Sequence, residues 1–224
     1  MSPKPLEAAK TGVGCLVDAI DSVLEKKHKN AFCLIRPPGH HAEIEKAMGF
    51  CFFNTVGIGA KYLKKIKKLY KVAVVDFDVH HGNGTQDVLW NDSNCLFISI
   101  HQDKIFPFTG SKNETGIKNN ILNIPVNAGS NSTEFRSIVD NIIIPRLIKF
   151  EPEFLLISAG FDGHQDDQIS QTQWAESDFI YITKKLKSVA NQFCEDRIVS
   201  CLEGGYHLEK LSTCCVSHIK TLME

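Results

Sequence analysis

A chain of 224 residues with 43% apolar and 23% charged residues is long enough to bury one sizeable core and has the composition of a soluble globular domain. Its formal net charge of −1 excludes direct nucleic-acid binding by bulk electrostatics. No apolar run is long enough to cross a membrane and the first residues carry no signal-peptide pattern, so the expected compartment is cytoplasmic, without a membrane partner.

Taken in order, residues 6–27 carry apolar side chains at helical spacing (Val13, Leu16, Val17, Ile20, Val23, Leu24) and predict an amphipathic helix. Residues 31–36 predict a short strand ended by Pro37-Pro38-Gly39, with His40-His41 directly after it. A helix is predicted over 55–70, and its many lysines read as a solvated face rather than a docking patch. The run Val72-Ala-Val-Val-Asp76 predicts a buried strand, and it continues into Phe77-Asp78-Val79-His80-His81-Gly82-Asn83-Gly84. A short helix follows over 84–90, then a strand over 95–100. Residues 102–120 are polar with Gly and Pro and predict a long loop, a length that is usually functional or disordered. A strand over 121–126 is expected to end at Pro125, and a helix over 133–150 to be capped by Ser132 or Thr133. The remaining elements are a strand over 154–159, a helix over 175–193, a strand over 197–202 and a helix over 208–222.

Strand and helix alternate throughout, which predicts an α/β fold: three layers, α/β/α, around a mostly parallel sheet. Functional residues of such sheets gather beyond the carboxyl ends of the strands. Seven of the nine histidines, at 40, 41, 80, 81, 101, 164 and 207, follow strands in this way, as do Asp76, Asp78, Asp162 and Tyr206, whereas His28 and His218 do not and read as surface or packing residues. Asp76, Asp78 and His80 are two residues apart, so in extended chain they project to one side. Carboxylates held side by side need a cation or a proton between them. Asp78, His80 and Asp162 offer two oxygens and one nitrogen, the three-ligand pattern of a catalytic zinc site, and the same donors could accept Fe(II). The eight cysteines include no C-x-x-C pair and most lie in apolar runs, so they read as free, buried thiols of a reducing compartment. The His40-His41 pair can supply a general base. Asp76 and Asn83 are near enough in sequence to orient the two rings. Tyr206, on a Gly-Gly turn, can donate its hydroxyl to an oxyanion. Each residue alone has a plainer role as a cap or packing group; their convergence on one sheet edge is what points to a site.

The motifs Arg36-Pro-Pro-Gly-His-His-Ala42, Met48-Gly-Phe-Cys-Phe-Phe-Asn54, Asp76-Phe-Asp-Val-His-His-Gly-Asn-Gly84, Ser158-Ala-Gly-Phe-Asp162 and Leu202-Glu-Gly-Gly-Tyr206 together resemble the zinc-dependent deacetylase superfamily of histone deacetylases and acetylpolyamine amidohydrolases, with class II-like wording. The resemblance implies an arginase–deacetylase fold and one zinc ion on Asp78, His80 and Asp162. It implies His41 as general base and His40 as its electrostatic partner, paired with Asn83 and Asp76, and Tyr206 as oxyanion donor. It places Gly49, Phe50 and Phe106 in an acyl-lysine channel. It also implies a structural potassium ion on backbone carbonyls near Asp76, Asp78 and His80, with Ser99 and Ile100. The expected partner is an acetylated lysine in a protein, or another acetylated amine; oligomeric state stays open. Ile169 falls where polyamine-specific members place a gating glutamate, and Phe108 where relatives carry glycine. Residues 1–224 are expected to form a single catalytic domain, shortened at the N-terminus relative to the family. A two-metal ureohydrolase would need an aspartate at Gly82 and another at His164, so one metal is expected. A non-catalytic binding module is the remaining alternative, against which the intact Asp78, His80, Asp162 and Tyr206 argue.

Overall fold

The computed structural model describes residues 4–224; Ser2 and Pro3, where the resemblance begins, lie outside them. Among the described residues seven α-helices and six strands follow one another, alternating except where β3 runs on to β4 and α4 to α5: α1 (Pro5–Leu24), β1 (Asn30–Cys33), α2 (Thr55–Lys65), β2 (Val72–Asp76), α3 (Asn83–Leu89), β3 (Cys95–Gln102), β4 (Ile121–Val126), α4 (Ser132–Ile138), α5 (Ile144–Phe150), β5 (Phe154–Ala159), α6 (Glu176–Phe193), β6 (Ile198–Leu202) and α7 (Leu208–Met223). The strands form one sheet in the order β1-β6-β5-β2-β3-β4, with every pairing parallel.

The pleat explains why β2 reads as one continuous apolar run. Val72 and Val74 pack on one face with Leu16, Ile20, Val56 and Leu63 of α1 and α2. Ala73 and Val75 pack on the other with Phe135, Phe179, Leu186 and Cys214 of α4, α6 and α7. Covered on both sides, a parallel strand has no polar face, and each fully buried Val or Leu adds roughly 1.5–3 kcal/mol. Asp76 at the end of β2 is level with Ser99 of β3 and Ser158 of β5, so the segments leaving these strands emerge on one edge.

Several boundaries differ from expectation. The first strand stops at Cys33, level with Cys201 of β6, because the chain then turns, Ile35 N bonding back to Cys33 O. The first two helices are shorter than their apolar spacing suggested, with Lys26 and Lys68 at positive φ just beyond them. Pro125 lies inside β4 rather than ending it; β4 is an edge strand of the described sheet, where a missing N–H is tolerated. The cap of α4 is Asn131, whose side chain accepts from Glu134 N, not Ser132 or Thr133. The helix predicted over 133–150 contains a π turn at Val139–Ile143, just before Pro145, which cannot donate to a carbonyl four residues back. Lysines of α2 and of the turn after it are paired: Lys61 in the helix meets Asp92, and Lys67 just beyond it meets Asp21.

His218 is a packing residue, as expected. It is fully buried between Thr183 Oγ1 at 2.8 Å and Ser200 Oγ at 3.0 Å, and burial pushes its pKa down to about 3 from 6.5. The unfolded chain therefore takes up this proton first as the pH falls. The stability conferred by the neutral ring is whole above its unfolded pKa and is lost progressively below it. Denaturant melts should show a loss on the order of 2 kcal/mol from this group between about pH 8 and about pH 5. A His218→Asn variant should lose that much less over the same interval; an unchanged slope would contradict the assignment.

A candidate metal-dependent active site

Four strand ends contribute. The end of β2 supplies Asp76 and the segment after it Asp78 and His80; the segment after β5 supplies Asp162; the turn after β1 supplies His40 and His41; the turn after β6 supplies Tyr206. One ligand atom from each of Asp78, His80 and Asp162 can be chosen so that all lie within 4.8 Å of one another, and all three residues are buried. His80 Nδ1 is 3.0 Å from Asp78 Oδ1 and 3.1 Å from Asp162 Oδ2.

Backbone amides hold these carboxylates. Asp78 Oδ1 accepts from His80 N at 2.8 Å and Oδ2 from Gly204 N at 2.7 Å. Asp162 Oδ1 accepts from Val79 N at 3.0 Å. A Cβ at Gly204 would lie 2.1 Å from Asp162 Oδ2, so only glycine lets the backbone come this close. Asp162 Oδ2 is buried and makes no well-aligned hydrogen bond, its one close polar neighbour being His80 Nδ1 at 3.1 Å. A buried carboxylate oxygen without an aligned donor is costly, and it points into a cluster of two carboxylates and an imidazole. These donors fit a divalent cation of the zinc or ferrous kind.

The histidine pair is differentiated by its partners. His40 Nδ1 lies 2.9 Å from Asp76 Oδ2. Burial works against its charge, but Asp78, Asp76 and Glu203 outweigh that and hold its pKa well above the usual imidazole value. His41 is pushed the other way, to about 2, by burial and then by the neighbouring His40. Asn83 Nδ2 donates to Glu43 Oε1 at 2.7 Å, which fixes the amide so that Oδ1 faces His41 Nδ1 at 2.8 Å. His41 therefore carries its proton on Nδ1 and keeps Nε2 as an acceptor. The two rings are 4.0 Å apart.

A pocket of about 440 Å³ leads to this pair, lined by His41, Gly49, Phe50, His80, Ile105, Phe106, Ile169 and Tyr206. Gly49, Phe50, Phe106 and Ile169, expected from sequence, are all in its wall; Ile105 is an addition. A larger cavity of about 700 Å³ lies at the opposite edge of the sheet, by Asn30 and Lys187, and holds none of the ligand or acid–base residues. Gly49 has φ +55°, and a Cβ there would lie 2.3 Å from the His41 ring. Gly49→Ala should cost at least about 1 kcal/mol from backbone strain alone and lower kcat by displacing His41. A variant that melts and turns over as the parent would contradict this.

Some strand-end histidines serve the surroundings instead. His81 and His101 stack with ring centroids 4.8 Å apart and hold the 103–120 loop, His81 at Thr109 Oγ1 and His101 at Gly110 O. That ordered loop carries Phe106, and Phe108 in it has φ +63°, a conformation that favours glycine. His207 caps α7, accepting from Lys210 N. His164 is buried beside Asp166.

Two carboxylates escaped the sequence reading. Glu203 is fully buried; its Oε2 accepts from Gly39 N at 2.7 Å and His40 N at 3.1 Å, and its Oε1 from Ser158 Oγ at 3.1 Å. It fixes the turn that carries the histidine pair. The signal was available: Glu203 directly follows an apolar strand, as Asp76 does. Asp167 is the second, and had no such signal.

An all-parallel sheet carries, at the carboxyl ends of its strands, a buried Asp–His–Asp cluster that could hold a metal ion and a histidine pair beside it. Residues 1–222 match the Histone deacetylase domain family, and the chain belongs to it. It is 42% identical to Type-2 histone deacetylase 2 of Dictyostelium discoideum over 100% of this chain and 14% of that protein. It is 37% identical to the chloroplastic Histone deacetylase 14 of Arabidopsis thaliana (91% of this chain, 50% of that one) and 37% identical to a probable deacetylase of Archaeoglobus fulgidus (91% and 57%). The chain thus spans from about one seventh to just over half of these relatives' length. The solved HDA15 HD domain superposes with a TM-score of 0.89 at 31% identity, covering 96% of this chain and 63% of that one. The arginase–deacetylase architecture expected from the motifs is the one observed.

Proposed function

We propose that this chain is a zinc-dependent amidohydrolase that removes acetyl from acetyl-lysine in a protein. The observation that carries the reading is the buried Asp78–His80–Asp162 cluster, in which Asp162 Oδ2 makes no well-aligned hydrogen bond, at the base of an apolar pocket beside a neutral His41. Asp78, His80 and Asp162 would hold the cation. Zinc bound there would supply Lewis acidity, polarising the amide carbonyl and acidifying water.

The chain's own groups do the rest. His41, oriented by Asn83, accepts the water proton at Nε2 as the water oxygen bonds to the carbonyl carbon. His40, kept cationic by Asp78 and Asp76, adds positive charge beside the developing oxyanion. Tyr206 donates its hydroxyl to that oxyanion. The C–N bond then breaks, and the proton held by His41 passes to the leaving amine. Phe50, Phe106 and Ile169 would shield the lysine methylenes. An isoleucine at 169 gives a substrate's second ammonium no carboxylate, which favours acetyl-lysine over an acetylpolyamine. Iron(II) would satisfy the same donors. A potassium ion is proposed at the backbone carbonyls of Asp76, Asp78 and His80, with Ser99 and Ile100. A cytoplasmic setting is part of the proposal, supported by eight free cysteines; among the described residues no helix is long and apolar enough to cross a membrane.

The test is turnover of an acetyl-lysine peptide and of an acetylated polyamine by the zinc-loaded chain. Release of acetate from the peptide is the expected result. A folded chain that binds one zinc and cleaves only the polyamine, or neither, would overturn the acetyl-lysine assignment.

A further inference from the structure

Resting on that reading of Tyr206, we propose that Asp167 is a positioning residue that sets the place of the tyrosine and of Ile169 together. Among the described residues nothing bonds the Tyr206 hydroxyl, so its position rests on the ring's neighbours, Phe50 and Arg36, and on its backbone. The turn that carries it is held amide by amide. Glu203 N donates to Ala159 O at 3.0 Å, and Gly204 N to Asp78 Oδ2 at 2.7 Å. Gly205 follows with φ +137°, a region where glycine turns freely and L-residues rarely lie. Beyond that hinge, Tyr206 N and His207 N both donate to Asp167 Oδ2, at 2.7 and 3.0 Å. The backbone of the tyrosine past the hinge is thus held by one carboxylate.

The other oxygen of that carboxylate faces the pocket wall: Asp167 Oδ1 accepts from Ile169 N at 3.2 Å. Asp167 is only 5% exposed, and its loop is itself anchored, with Asp167 N bonded to His164 O and Ser170 Oγ to Asp162 O. The loop begins at Asp162, one of the cluster carboxylates. One side chain therefore ties three things to a common frame: the cation cluster, the oxyanion donor and the residue at the pocket's edge. Misplacing a reacting group by about 1 Å can cost on the order of 100-fold in rate, so a clamp of this kind should be visible in kcat.

The experiment combines Asp167→Ala and Asp167→Asn with Tyr206→Phe, and follows amide hydrogen exchange at Ile169, Tyr206 and His207. Asp167→Ala should lower kcat by roughly 10–100-fold with KM nearly unchanged, and all three amides should lose protection. In the Tyr206→Phe background the same substitution should add little, because both changes remove one contribution. Asp167→Asn keeps one acceptor oxygen, so it should retain protection on one side of the clamp, lose it on the other, and recover part of kcat. Because Asn conserves volume, it carries the exchange test even if the Ala variant does not fold. Equal rate losses in both backgrounds, or unchanged protection on both sides of Asp167→Asn, would overturn the proposal. If Tyr206→Phe itself leaves turnover intact, the reading of the site fails. If Tyr206→Phe is slow and Asp167→Ala is not, that reading stands and the clamp fails.

Discussion

Asp78→Asn is expected to abolish cation binding and, with it, turnover. Both oxygens of Asp78 are committed, Oδ1 to His80 N and Oδ2 to Gly204 N, while the group also faces His80 Nδ1 at 3.0 Å. An asparagine must turn its NH₂ towards one of those two amide donors, replacing a hydrogen bond with two opposed donors. It also removes the carboxylate that contributes most to holding His40 cationic. Loss of a group that merely orients a metal ligand costs about 10–100-fold in affinity, and loss of the ligand itself should exceed that. Cation content after dialysis and thermal melts with and without zinc read the result. The parent should bind one equivalent and melt higher with zinc, and the variant should do neither. A variant that keeps its zinc and its turnover would remove Asp78 from the site.

Tyr206→Phe should separate chemistry from binding. The ring packs near Phe50, with centroids 6.3 Å apart, and under Arg36, and the variant keeps both contacts. Burial, followed by the charges of Asp78 and Asp162, raises the phenol above its ordinary pKa, so the hydroxyl remains a hydrogen-bond donor at any working pH. Removing a single oxyanion donor costs roughly 100–1000-fold in kcat. Zinc content, melting temperature and KM should stay close to the parent. A loss confined to KM would make Tyr206 a pocket wall rather than an oxyanion donor.

What was legible in the sequence is what repeats or abuts. Alternating apolar runs gave the parallel sheet, and polar residues directly after them gave the cluster and its two histidines. The hidden parts act across long sequence separations through backbone amides. Asp167 reaches 39 and 40 residues ahead to Tyr206 and His207, and Glu203 reaches 163 and 164 residues back to His40 and Gly39. No periodicity encodes such bonds. The same rule over-read His81, His101, His164 and His207: a strand end places a residue near the edge but does not aim it, and these four support loops and a helix cap. Local choices such as Asn131 as the cap and the π turn before Pro145 depend on neighbours within a few residues and were equally silent.

The order of the sheet also divides the site by mechanical strength. Asp78, His80 and Asp162 leave β2 and β5, adjacent strands in the sheet's interior. His40 and His41 follow β1, which among the described residues is an outer strand paired only with β6, over four residues. Opening free energies are smallest where pairing is shortest. Fraying of β1 would therefore load the bonds that tie the histidine pair to Glu203, Asp76 and Asn83 before it reached the proposed cation pocket, so on the proposed reading mild denaturant should lower turnover before added zinc is lost.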